Sequence, residues 1–150
     1  MNRRWIGLGG AAALVASALA VGVSSPAAAS PCDPGGNAIV CENSKPGTPQ
    51  AVWDIQGSGD ATIQGFATSM SVNLGDTESF KIDTTATAYT IDIYRLGWYN
   101  GDGARKVASV SSVAQDQPDC LTDSTTGLVD CGNWSVSASW AVPSDAVSGI

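Results

Sequence analysis

Apolar and polar side chains alternate along most of the chain after residue 60. Met70, Val72 and Leu74 are separated by Ser71 and Asn73, and Phe80 and Ile82 sit among Ser79, Lys81 and Asp83. Tyr89, Ile91 and Ile93 are interleaved with Thr90, Asp92 and Tyr94, and Trp134, Val136, Ala138, Trp140 and Val142 form the longest series. A repeat of two sends successive side chains to opposite faces, so each run predicts a strand with one buried and one wet face. Val, Ile, Thr, Tyr and Trp, the residues that favour strands, dominate these runs. Turn formers punctuate them at residues 73–76, 83–85 and 100–103. No segment past residue 29 shows a convincing 3.6-residue period, so the crossover helices of a parallel α/β sheet are not expected. The expectation is an all-β chain, with an Ig-like or jelly-roll-like antiparallel β-sandwich over residues 61–150.

Two stretches depart from the alternation. Residues 30–60 hold Pro31, Pro34, Pro46 and Pro49 and several glycines. They predict an irregular arm, with Ile39-Val40 and Val52-Trp53 packing onto the sandwich. At the other end, Val147-Ser148-Gly149-Ile150 has the character of an entry into another strand. The sandwich is therefore expected to lack its C-terminal strand, as the N-terminal fragment of a longer protein would.

Residues 1–29 carry a different signal. Arg3-Arg4 is followed by an uncharged Ala- and Gly-rich run from position 5 to 23, then by Ala27-Ala28-Ala29. A basic start, an apolar stretch and small residues at the exit describe a secretory signal peptide cleaved after Ala29, with export by the general or the twin-arginine route. The expected location is extracellular, with no membrane association after cleavage. Of the 150 residues, 121 then remain, and the loss of Arg3 and Arg4 leaves five basic against fourteen acidic side chains. That suffices for one domain. An acidic surface of this kind excludes nucleic acid, whose readers need a basic face.

The cysteines fit an oxidising compartment, since all four lie beyond residue 29. Three pairings are possible. Local links, Cys32–Cys41 and Cys120–Cys131, are favoured because each closes a short, turn-rich loop. Zinc is disfavoured because neither pair has the close spacing of a structural site. The chain has no histidine, which removes the Ser-His-Asp and Cys-His arrangements. No isolated carboxylate pair suggests an acid and a base, so no catalytic residue, metal ligand or cofactor is assigned.

The most distinctive segment is residues 95–105, Arg-Leu-Gly-Trp-Tyr-Asn-Gly-Asp-Gly-Ala-Arg. It is readable as a long hairpin connection whose aromatics cover the end of the core. It is also readable as a ligand loop in which Trp98 and Tyr99 stack on a sugar ring while Asn100 and Asp102 bond its rim. Asn100 and Asp102 are in addition oxygen donors suited to calcium, without the rest of a calcium-loop pattern.

Several short motifs occur together. Asn37-Ala38-Ile39-Val40-Cys41-Glu42-Asn43 precedes Pro46-Gly47, and Ile63-Gln64-Gly65-Phe66-Ala67 precedes Ser71-Val72-Asn73 and Gly75. Ile91-Asp92-Ile93-Tyr94-Arg95-Leu96-Gly97-Trp98-Tyr99 is followed by Gly101 and Gly103-Ala104-Arg105, then by Cys131-Gly132-Asn133-Trp134, Val142-Pro143 and Val147-Ser148-Gly149. As a set they resemble secreted actinobacterial-type proteins related to the N,N-dimethylformamidase large (beta) subunit. The resemblance implies an N-terminal β-sandwich without catalysis of its own. It also implies a downstream domain of the same polypeptide, with the family's iron site, that hydrolyses a C–N amide bond. No iron ligand carries over to a residue of this chain. A glycan or cell-wall polymer held at Trp98, Tyr99, Asn100 and Asp102 is the alternative partner.

Overall fold

The computed structural model describes residues 30–149 of the chain, so the signal-peptide expectation for residues 1–29 lies outside the described residues. Strands predominate, and every pairing is antiparallel. The order along the chain is α1 (Ala38–Asn43), α2 (Gln50–Trp53), β1 (Ile63–Ala67), β2 (Thr77–Thr84), β3 (Ala88–Leu96), a 3-10 turn (Tyr99–Gly101), β4 (Ala104–Val113), β5 (Leu121–Thr122), β6 (Val129–Asp130) and β7 (Ala138–Ala141). They form a three-stranded sheet in the order β1-β2-β7, the long hairpin β3-β4 and the short ribbon β5-β6. Both disulfides join the local pairs, Cys32–Cys41 with Cα atoms 4.8 Å apart and Cys120–Cys131 with Cα atoms 4.4 Å apart.

The hairpin carries the alternation read from the sequence. Tyr89 is buried and Ile91 and Ile93 half-buried, while Thr90 and Asp92 are exposed. Hydroxyl and amide side chains tie the hairpin and the segment after it to the three-stranded sheet. Ser112 Oγ donates to Ser137 O at 2.7 Å. Gln117 Nε2 donates to Ile82 O at 3.2 Å and Ser135 O at 3.0 Å, and Gln117 Oε1 accepts from Ser135 N. The register of β3 on β4 slips once. Ile93 faces Ala108 but Tyr94 faces Lys106, leaving Val107 as the extra residue of a bulge. A bulge reverses the facing of everything beyond it. Here it turns Lys106 outward onto Asp92, at 3.0 Å, and brings Arg105 to the face of Arg95, its cross-strand partner.

Three expectations are corrected. The run Met70, Val72, Leu74 is not a strand, and all three side chains are exposed. The strand lies earlier, at β1. Residues after it are drawn into polar contacts instead, with Glu78 Oε1 accepting from Thr68 Oγ1 and Ser69 N, and the turn at Gly75, φ +83°, docking on Val142 O. The run from Trp134 to Val142 is a strand only over β7. Trp134, half-buried Ala138 and Trp140, and Val142 keep the expected phase, but Val136 is exposed and Ser137 is buried. Ser137 takes the inner place because its Oγ accepts from Ile82 N and donates to Phe80 O, bonds that valine could not complete.

The third correction concerns the arm. Residues 30–60 contain two short helices, too short to display a 3.6-residue period. Asn37 caps α1, its Oδ1 accepting from Ile39 N at 2.9 Å and Val40 N at 3.1 Å, as an N-cap asparagine does. Trp53 docks on the loop between β3 and β4, its Nε1 donating to Thr48 O and Asp102 O, both at 3.1 Å. Ile39, Val40 and Val52 remain exposed, and the buried residue of α1 is Glu42. Residues 147–149 form no strand among the described residues. Their backbone is held by Arg95, which donates to Val147 O and Ser148 O.

Candidate functional site

The loop between β3 and β4 is the best-defined polar site, and its geometry follows from local chemistry. Gly97 N donates to Gly103 O, closing the base of the loop. A side chain at Gly97 would collide with Asn43 Oδ1 and the Tyr99 ring, so glycine is required there for close approach. Tyr99 and Asn100 both have positive φ, 41° and 58°. Asparagine tolerates that region, but a tyrosine there is strained. The strain is held by what the turn achieves, which is to send the Tyr99 side chain inward to complete burial.

Under the loop lies a charged cluster centred on Glu42, 2% exposed. Its Oε1 accepts from Tyr99 OH at 3.1 Å, from Arg105 Nε at 2.7 Å and from Arg105 Nη2. Its Oε2 accepts from Lys45 Nζ at 2.6 Å. Arg95 Nη1 donates to Tyr99 OH at 2.9 Å, and both guanidinium groups lie 5.9 Å from the Tyr99 ring centre. Burial alone would raise the Glu42 pKa. The hydrogen bonds from Lys45, Arg105 and Tyr99, with the charge of Arg105, outweigh burial and bring it from 4.5 down to about 2. Arg105 responds in the matching sense: burial disfavours its charge, but Glu42 holds it protonated more firmly than usual.

The four loop residues named from the sequence are therefore split. Trp98 stands 70% exposed, with its backbone N donating to Asn43 Oδ1 at 2.8 Å. Tyr99 is 0% exposed and cannot touch a ligand. Asn100 is exposed, and Asp102 is half-buried beneath Trp53 with its Cβ against Gly47. The aromatic pair expected to stack on a sugar ring is thus one exposed indole and one interior phenol. Among the described residues no three Asp, Glu, Cys or His side chains converge as a metal-holding group, and no helix is long and apolar enough to cross a membrane.

Glu42 is the site residue that the sequence reading did not single out. Arg95 and Arg105, one strand residue away on either side of the seven-residue loop 97–103, were the available signal. On paired strands such arginines face one another, and two like charges require an anion.

A family model described as N,N-dimethylformamidase beta subunit-like, C-terminal, matches residues 90–150. It takes in most of β3, the loop and all later strands. Its description refers to the C-terminal part of such a subunit, whereas the motifs had pointed to an N-terminal region. No curated protein and no solved structure matches the chain.

Proposed function

We propose that the chain is a secreted, non-catalytic β-sandwich domain of an N,N-dimethylformamidase beta-subunit-like protein, packing against other domains of a polypeptide that cleaves a C–N amide bond. The family match supports the relationship. The observation that carries the role is the distribution of apolar side chains. Among the described residues Tyr89, Tyr99, Ala104, Trp134 and Val142 are the buried apolar ones, while large apolar side chains from Ile39 to Val136, Met70, Ile55 and Leu128 among them, remain exposed. Large apolar side chains exposed in such number favour a domain that another part of a protein covers. The chemistry agrees. Without histidine, and with Glu42, the most buried carboxylate among the described residues, locked in ion pairs, the chain has no imidazole base to activate a nucleophile. The isolated chain is expected to release no dimethylamine from N,N-dimethylformamide, with or without added iron. Turnover above the buffer rate would refute the non-catalytic reading.

One feature favours a second reading, a glycan- or cell-wall-binding module. Trp98 is exposed, with its backbone N held by Asn43 Oδ1, and an exposed indole is a suitable face for a sugar ring. Polysaccharide pull-down with the chain and with Trp98→Ala decides it. Retention lost on substitution supports a glycan site at Trp98, and no retention, or retention unchanged by the substitution, eliminates it.

A further inference from the structure

Arg95 and Arg105 face each other across β3 and β4, on the face to which the bulge at Val107 returns Arg105. Like charges directly opposite destabilise a sheet. Among the described residues neither Asp92 nor Asp102, the acids of the hairpin, pairs with these arginines, and Asp92 is engaged by Lys106. The anion comes from the arm, as the single carboxylate of Glu42. We propose that Arg105 and Tyr99, with Arg95 as positioning residue, form a carboxylate-binding site of the β-domain whose resident ligand is the Glu42 side chain. The 30–60 arm is thereby attached to the domain as a bound acid would be.

The hydrogen bonds define each role. Arg105 donates through Nε and Nη2 to one carboxylate oxygen. Tyr99 OH accepts from Arg95 Nη1, which leaves its own proton directed at the same oxygen. Arg95 is held in turn by Leu96 O, Val147 O and Ser148 O. The three receptor side chains thus all come from residues 95–105, with residues 147–148 holding Arg95, while the arm braces the loop backbone through Asn43 and Thr48. The family match takes in all three receptor side chains and leaves Glu42 outside. The arm has the character of a docked segment. Helix α1 spans six residues, too few to persist alone, and its Ile39 and Val40 face solvent.

Removing the Glu42 carboxylate should leave a receptor that a small acid can fill. The arm stays in place through other contacts, namely Thr48 N to Ala104 O at 2.8 Å, Lys106 N to Thr48 Oγ1 at 3.0 Å and Trp53 Nε1 to Asp102 O. The test is thermal unfolding of Glu42→Ala in sodium formate and in sodium chloride at equal ionic strength. In chloride its Tm is expected to fall by more than about 10 °C, the loss of one partner from a buried ion pair. Formate should raise the Tm of Glu42→Ala saturably, leave the parent chain unmoved, and do nothing for Glu42→Ala/Arg105→Gln. Equal responses to formate and chloride, or recovery that persists without Arg105, would overturn the proposal. Where Glu42→Ala does not fold in chloride, refolding yield gives the same answer. Recovery in formate alone supports the site, and no recovery in either salt overturns it.

Discussion

Tyr99→Ala is expected to destabilise the chain by about 3–5 kcal/mol, the range for emptying a buried aromatic site. Tyr99 is fully buried although it sits in a surface loop, because its positive φ turns the ring beneath the backbone. Its removal also takes a donor from Glu42 and an acceptor from Arg95. Tyr99→Phe keeps the ring and deletes the hydroxyl, at an expected cost of about 1.5–3 kcal/mol, the range for hydrogen bonds to charged groups. Trp98→Ala, one residue away and exposed, should stay within about 0.5 kcal/mol of the parent. Urea unfolding of the three variants measures this ordering. A Tyr99→Ala midpoint no lower than that of Trp98→Ala would show that the phenol is not the keystone of the loop.

Acidification is expected to unfold the chain through Glu42 more than through any other carboxylate. Its folded pKa of about 2 lies below the ordinary 4.5. A depressed pKa contributes stability that is fully present above the unfolded value and is lost as pH falls through the folded one. The window is therefore pH 4.5 down to about 2, and a shift of this size corresponds to a contribution on the order of 3 kcal/mol. Asp60, Asp92 and Asp123 also titrate below their usual range. In order of weight, Asp60 is lowered by hydrogen bonds from Thr62, Asp92 by those from Ser109 and Lys106, and Asp123 by those from Thr126 and Thr125. All three are exposed, and solvent screens them. Glu42→Gln should be less stable near neutrality and flatter across the window. Parallel pH profiles for the parent and Glu42→Gln, followed by urea midpoint, would remove Glu42 from the account of acid stability.

What was legible in the sequence was periodic or local. Tyr89, Ile91 and Ile93 announced β3, and their facing survives because a nine-residue strand with a ten-residue partner leaves little freedom of register. The cysteine links follow from short loops. Met70, Val72 and Leu74 carried the same alternation and formed no strand. A pattern states which face would be buried, not whether a partner strand is at hand, and that edge of the sheet is β1. Val136 and Ser137 show a similar limit. Their inner and outer places are exchanged because a hydroxyl on that face completes bonds to β2, and a hydrogen bond across more than fifty residues leaves no trace in a local window.

The sequence by itself determined the antiparallel all-β character, the two local disulfides, the absence of any histidine-based chemistry and the Gly-rich loop between two arginines. Those properties reside in composition, period-two patterning and short separations. Only the tertiary structure decided that Tyr99 turns inward while Trp98 turns outward, that a bulge at Val107 brings Arg105 to the face of Arg95, and that Glu42 is the anion between them and the arm. Glu42 lies 57 and 63 residues before its partners. Burial of a charge is governed by the partners brought to it in three dimensions, and the strand register that brings these two together is set far from Glu42 itself.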